Sequence, residues 1–350
     1  MRNMINDVRT NELATKIEME YPSFEKDKFC NGIIPYLDEL GLFDRLSLVT
    51  KNLKKYLPES FTTVVDLFIK VSEPKMGFMV IALSNYIADY GLDNFDISMN
   101  ALKELTKSCS SEFAIRHFII KDKEACFKYF RQWAKDENVE VRRLVSEGLR
   151  PRLPWGIRLK EFVQNPEPII EFLEMLNDDK ELYVRKSVAN NINDIAKDHP
   201  ELVIKTLKNW NNRWVIKHGL RTLIKQGHPE ALDLMGFSKD PKVVIKNIDF
   251  DRNIKTGESI NFSFDIKSES REKQSLVVDY VIYHQKANGS KTPKVFKLKN
   301  IELEAARIIS IKKSHSFKII TTRKYYPGEH SLSIKLNGKE IEFGTFELSI

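Results

Sequence analysis

The hydrophobic period of this chain changes once, near residues 236–241, and that change limits the possible folds more than any other feature. From Asn11 to about Gly236, apolar residues recur at the i, i+3, i+4 spacing of one helix face, as in Leu67, Phe68 and Val71 or Phe78, Ile81, Ala82 and Tyr86. Short Pro, Gly or Asp/Asn breaks divide the segment into roughly a dozen helices. Beyond Gly236–Pro241 the period is two. Phe262, Phe264 and Ile266 alternate with Asn261, Ser263 and Asp265; Val278, Tyr280 and Ile282 share one face, and His330, Leu332, Ile334 and Leu336 another. Turn signals at Lys255-Thr256-Gly257, Ala287-Asn288-Gly289, Pro327-Gly328 and Asn337-Gly338 separate about seven short strands over roughly 110 residues, as in an immunoglobulin-like sandwich. No Cys…Trp…Cys set is present there, so an antibody-type domain is excluded. The expected fold is α + β multidomain: an all-α repeat solenoid over residues 1–236 followed by an all-β immunoglobulin-like sandwich over 241–350.

The helical part repeats. Asp136, Val141, Arg142, Arg143 and Val145 recur as Asp179, Val184, Arg185, Lys186 and Val188, an offset of about 43 residues. A weaker echo, Trp214-Val215-Ile216-Lys217-His218, follows about 31 residues later. The Asp-x4-Val-Arg pattern resembles the HEAT repeat, in which the second helix of each pair lines one face of a solenoid.

With 350 residues, 42% hydrophobic and 30% charged, the chain can bury ample core in at least two domains. No apolar run reaches the roughly 18 to 20 residues of a membrane span, and the start lacks a signal-peptide core, so a cytoplasmic, nucleoid-associated protein with no membrane partner is expected. Three cysteines without C-x-x-C spacing indicate neither a disulfide framework nor a structural zinc site. The formal charge of +7 is unevenly placed: 36 basic and 36 acidic residues precede Pro241, whereas 20 and 13 follow from it. The excess, which includes Lys291, Lys294, Lys297, Lys299, Lys312, Lys313, Arg323 and Lys324, suits a polyanion, an acidic membrane surface or solubility alone.

Chemistry concentrates in Val141–Lys160, VRRLVSEGLRPRLPWGIRLK. Six basic residues (Arg142, Arg143, Arg150, Arg152, Arg158, Lys160) surround one acid, Glu147, which should stay ionised in such a field. A helix beginning near Val139 with Gly148 as its C-cap leaves Glu147 in the last turn, where the macrodipole opposes an anion by about 0.3 to 1 kcal/mol. Arg143 and Arg150, four residues before and three after, can offset that cost. The two prolines of Leu149–Gly156 forbid helix and predict a stiff loop presenting Arg152 and Trp155. Arginine forks suit phosphate oxygens, and an indole face suits a cation or a sugar. In the next repeat Arg185 and Lys186 open a helix in which Asn190, Asn193 and Asp194 form a polar strip beside Val184, Val188, Ile192 and Ile195. Upstream, Ser110-Ser111-Glu112 starts another helix, with serines as caps and Glu112 in the first turn. No phosphate-binding loop, dinucleotide fingerprint, H-E-x-x-H or nucleophile elbow occurs.

Three segments carry a resemblance to a known family: Ser111–Arg116 (SEFAIR), Ser146–Trp155 (SEGLRPRLPW) and Tyr183–Pro200 (YVRKSVANNINDIAKDHP). Together they resemble the AlkC branch of the HEAT-like alkylpurine DNA glycosylases, densely over about residues 100–235. The first hundred residues agree by helical pattern only, and the C-terminal sandwich is similar to an immunoglobulin-like extension carried by some members. A monomer acting on double-stranded DNA is expected, and the resemblance implies excision of cationic bases such as 3-methyladenine and 3-methylcytosine without a metal or cofactor. It further implies a grip on the backbone that reaches the lesion without a closed base pocket. Glu147, assisted by Glu112 and with Asp194 as the alternative acid, would stabilise the oxocarbenium-like sugar and place a water, and Trp155 would pack on sugar or lesion. Arg143, Arg150, Arg152, Arg185, Lys186, Asn190 and Asn193 would contact DNA. One departure is that the related AlkD branch has a tryptophan and an arginine in the helix where this chain has Asn190 and Asn193.

Two other classes compete with the enzyme: a HEAT scaffold for protein partners, and a catalytically inert binder of DNA structure. An exposed aromatic or Met-rich ridge would mark the scaffold, whereas the marked face here is arginine, asparagine and carboxylate. An inert DNA binder has no use for an acid facing phosphate.

Overall fold

A computed structural model describes residues 2–321 and 323–350. Among the described residues sixteen α-helices lie between Asp7 and Leu234, and eight strands between Val243 and Ser349, so the secondary structure changes at the change of period. Two compact units emerge from the packing: the chain up to His199 together with Asn209–Gly219, and Pro200–Lys208 together with Leu220 onward. The helices Pro200–Leu207, Arg221–Gln226 and Pro229–Leu234 therefore pack with the strands, and the division of packing falls ahead of the change in secondary structure. The reason is local. Gly227 (φ 79°) and Gly338 (φ 83°) approach so closely that a Cβ on either would strike the other's backbone, and the Asn337 side chain donates to the Ser238 carbonyl at 2.6 Å.

In the first unit the three echoes are neighbouring helices: Leu182–Ile195 packs between Val139–Gly148 and Arg213–Gly219. Their inner faces are the apolar positions read from the sequence, Val141, Leu144 and Val145 on one and Val184, Val188 and Ile192 on the next, all buried. The 43-residue echo has a mechanical basis. Arg142 Nη1 donates to the carbonyls of Asp136 and Glu137, both at 2.9 Å, while its Nε and Nη2 reach the Asp179 carboxylate at 2.6 and 3.1 Å. Arg185 Nη1 donates in the same way to the carbonyls of Asp179 and Lys180. Each aspartate also accepts from the backbone N–H two residues on, at Asn138 and Glu181. One arginine thus closes its own repeat's turn, and Arg142 also ties it to the next.

The strands are β1 (Val243–Phe250), β2 (Asn253–Lys255), β3 (Ser259–Ser268), β4 (Gln274–Gln285), β5 (Lys291–Leu303), β6 (Ile308–Ser316), β7 (Gly328–Leu336) and β8 (Lys339–Ser349). One sheet has the order β1-β3-β6, the other β2-β8-β7-β4-β5. All pairings are antiparallel except that of the short β2 with β8, the strand beyond the seven expected. The positions read from the sequence, Phe262, Phe264, Ile266, Val278, Tyr280, Ile282, His330, Leu332, Ile334 and Leu336, are all buried; burial alternates along β3, whereas β4 is covered on both faces, with Val277, Asp279 and Val281 buried as well. Asn337 and Gly338, both at positive φ, make the two-residue hairpin joining β7 to β8. No helix among the described residues is long and apolar enough to cross a membrane.

Candidate nucleic-acid interface and active site

The helix Val139–Gly148 places the central acid. Asn138 caps it by accepting from the N–H groups of Glu140 and Val141 at 2.9 and 3.4 Å. It ends one residue later than the sequence suggested: Gly148 is helical and Leu149 is the cap. Gly148 is required by packing, since a Cβ there would lie 2.7 Å from Ile115 Cγ2. Glu147, in the last turn, is 5% exposed. Its Oε1 accepts from Arg150 Nη1 at 2.7 Å and lies 3.7 Å from Arg143 Nη2, and its Oε2 accepts from Ser187 Oγ at 2.6 Å. These partners compensate an anion at the negative end of a helix.

Glu112 sits in the turn before the helix Ile115–Lys121, not in its first turn, and no serine caps that helix. The difference matters, because a turn residue can bend toward the neighbouring repeat. Glu112 Oε2 accepts from Arg143 Nη1 at 2.8 Å and from Ser110 Oγ at 2.9 Å. Arg143 therefore joins Glu112 to Glu147, with its guanidinium 4.8 Å from the Tyr183 ring centroid. Burial opposes the charge on Arg143, but Glu147 and Glu112 more than offset it and hold its pKa above the ordinary value. Arg150 behaves likewise between Glu147 and Asp194. Asp194, 2% exposed, lies behind Arg150, accepting from its Nε at 2.9 Å and from Lys197 Nζ at 3.1 Å.

The loop after the helix is held at both ends by a residue the sequence reading left unassigned. Arg116, fully buried, donates through Nη1 to the Gly148 carbonyl (2.9 Å) and through Nε to the Ile157 carbonyl (2.7 Å). Burial pushes its pKa down to about 10, still charged at neutral pH. Within the loop Leu153–Gly156 is a turn closed by a Gly156 N–H to Leu153 carbonyl bond, with Pro154 second and Trp155 third at φ 65°. That third place normally takes glycine. Trp155 is nevertheless 61% exposed. A non-glycine residue held at positive φ stores backbone strain that the surrounding structure must offset.

Glu112, Arg143, Glu147, Arg150 and Trp155 line one cleft of about 610 Å³, a size suited to a small-molecule or nucleoside-sized group. Its other walls hold residues not singled out beforehand: Phe43, Phe113, Cys109, Glu140 and Tyr183. Burial raises the pKa of Glu140 and pushes the Tyr183 phenol and the Cys109 thiol up to about 12 and 11. Their sequence signal is weak, because Tyr183 meets Arg143 across 40 positions and Phe43 lies outside every motif.

The remaining residues expected at DNA lie elsewhere. Arg152 pairs with Asp198 through two bonds of 2.9 and 2.8 Å and remains partly accessible. Lys186 is exposed and Asn190 half-buried, but Asn193 is buried and Arg185 is engaged by the carbonyls of its own turn. The neighbouring Asn191 holds the Ser146 carbonyl at 2.9 Å. Among the described residues no group of three or more His, Cys, Asp or Glu is arranged to hold a metal ion.

Residues 105–223 match the DNA alkylation repair enzyme family, and residues 245–350 match the family described as uncharacterised protein YhaZ, C-terminal Ig-like domain. The uncharacterized protein YhaZ of Bacillus subtilis (strain 168) is 35% identical over 97% of this chain and 96% of its own. The structure of Pseudomonas fluorescens alkylpurine DNA glycosylase AlkC, bound to DNA containing an abasic site analog, superposes with a TM-score of 0.94, covering 100% of this chain and 99% of that one at 39% identity. With its full length so matched, the chain belongs to the AlkC branch of the HEAT-like alkylpurine DNA glycosylases.

Proposed function

We propose that this protein excises cationic alkylated bases, 3-methyladenine and 3-methylcytosine among them, from double-stranded DNA by hydrolysing the N-glycosidic bond. One observation carries the reading: a buried carboxylate, Glu147, lines the same cleft as an exposed, strained tryptophan, Trp155. As the C1′–N bond breaks, its electron pair neutralises the positive base, and the sugar becomes the cation. Glu147, already oriented by Arg150 and Ser187, then faces an oxocarbenium without reorganising. Water adds to C1′ and gives its proton to a carboxylate, for which Glu112 at the same arginine is the second candidate. Asp194 acts one step back, holding Arg150. Trp155 packs on sugar or lesion at the rim, so the base need not be enclosed. Among the residues expected at DNA, Arg152 and Lys186 are accessible cations for phosphate, and Asn190 lies one turn after Lys186 on its helix.

The test is incubation with methylated DNA followed by separation of free bases. Release of 3-methyladenine supports the reading. Binding without release makes the protein an inert DNA-structure binder, and neither outcome leaves a protein scaffold.

A further inference from the structure

We propose that Phe43 is a positioning residue for Trp155, fixing where the indole lies across the mouth of the cleft; this rests on the excision reading above. The turn at Leu153–Gly156 and the two bonds from Arg116 place the Trp155 backbone, but they leave the direction of its ring open. The ring is 61% exposed, so core packing does not orient it. Phe43 meets it edge to face, with centroids 6.0 Å apart and planes at 72°. Phe43 also meets Phe113, at 6.0 Å and 84°, and Phe113 adjoins Glu112 in sequence. The three rings, linked through Phe43, all line the cleft that both carboxylates line.

Phe43 has no other evident reason to be aromatic. It is 43% exposed, at the second position of the helix Leu42–Tyr56, whose buried side is Leu46, Val49 and Leu53. A helix gives its side chains a more precise origin than a loop does, so the rigid partner orients the loop residue. The helix lies in the first hundred residues, outside the segment matched to the repair-enzyme family. A segment that shows only helical grammar in sequence therefore completes the site.

The experiment compares single-turnover excision of 3-methyladenine by wild type, Phe43→Ala, Trp155→Ala and the double variant. Phe43→Ala should slow excision about three- to tenfold, the scale of one aromatic pair, and Phe43→Tyr should restore it. Because Phe43 acts through Trp155, the double variant should be no slower than Trp155→Ala alone. A wild-type rate in Phe43→Ala, or multiplicative losses in the double variant, overturns the proposal. If the wild type releases no base, the functional reading has failed instead. Acrylamide quenching then decides this proposal separately: the fluorescence that disappears on adding Trp155→Ala reports that ring, and its quenching should rise in Phe43→Ala and stay unchanged if Phe43 does not hold it. Should Phe43→Ala fail to fold, Phe43→Leu, which keeps bulk without a ring, takes its place in both measurements.

Discussion

Replacing Glu147 with Gln removes one charge from the centre of the cleft and almost nothing else. The amide oxygen can still accept from Arg150 Nη1, and the amide nitrogen can donate to Ser187, whose hydroxyl accepts as readily as it donates. The fold should therefore survive, although Arg150 and Arg143 each lose a neighbouring anion. The effect on chemistry is larger. A full charge about 4 Å from a forming cation is worth about 4 kcal/mol at an effective dielectric of ~20. The two arginines cancel part of this in both states, so excision of 3-methyladenine should fall by about 10² to 10³, the range seen when a preorganised electrostatic stabiliser is lost. DNA affinity should hold or rise, because an anion near phosphate is gone. The assay is single-turnover base release from methylated duplex, with thermal melting and DNA binding measured on the same preparation. A wild-type rate would refute the reasoning, as would a slow variant that is also unfolded or unable to bind. Glu112 or Asp194 would then be the acid to examine.

Three further outcomes are expected. Arg142→Ala should cost about 3 kcal/mol in denaturant unfolding, because it takes the cation from the largely covered Asp179 side chain, leaving it only the Glu181 N–H, and frees two carbonyls, whereas Arg152→Ala, at an accessible pair, should cost under about 1 kcal/mol and weaken DNA binding instead. Equal stability losses would show that the two arginines do not divide in this way. Lys294, Lys297 and Lys299 stand exposed on the edge strand β5, and we expect the basic sandwich to hold DNA backbone; changing all three to Glu should weaken binding and flatten the log–log salt dependence by about 0.9 for each phosphate no longer neutralised, so an unchanged slope removes the sandwich from the interface. Burial, aided by Arg323, pushes the pKa of His284 down to about 3 and of His315 to about 4. The unfolded chain binds these protons first, near pH 6.5, so the stabilisation is whole above that pH and declines as pH falls toward 4 and 3. The melting temperature should drop through that window and drop less in His284→Phe; a flat profile in the wild type would contradict this.

The change from helix to strand was legible because periodicity is local: a face of period 3.6 and a face of period 2 cannot be confused over a hundred residues, and Phe262, Phe264 and Ile266 are buried as their alternation requires. The repeat was legible for the same reason, since Arg142 and Arg185 do one mechanical task at one spacing. Glu147 stood out as a lone acid among bases, and the prolines announced a loop that would expose Trp155. What the sequence could not decide were the partners of these residues. Whether an arginine faces solvent or a carbonyl can depend on chain segments dozens of positions away, which is why Arg116 looked ordinary and holds the loop. The helix Pro229–Leu234 reads as helix and packs with strands, because two glycine backbones meet across more than a hundred residues. Phe43 carries no pattern at all. Its place beside Trp155 arises only when the helices are stacked, since propensity and period act along the chain, while a site is made by contacts across it.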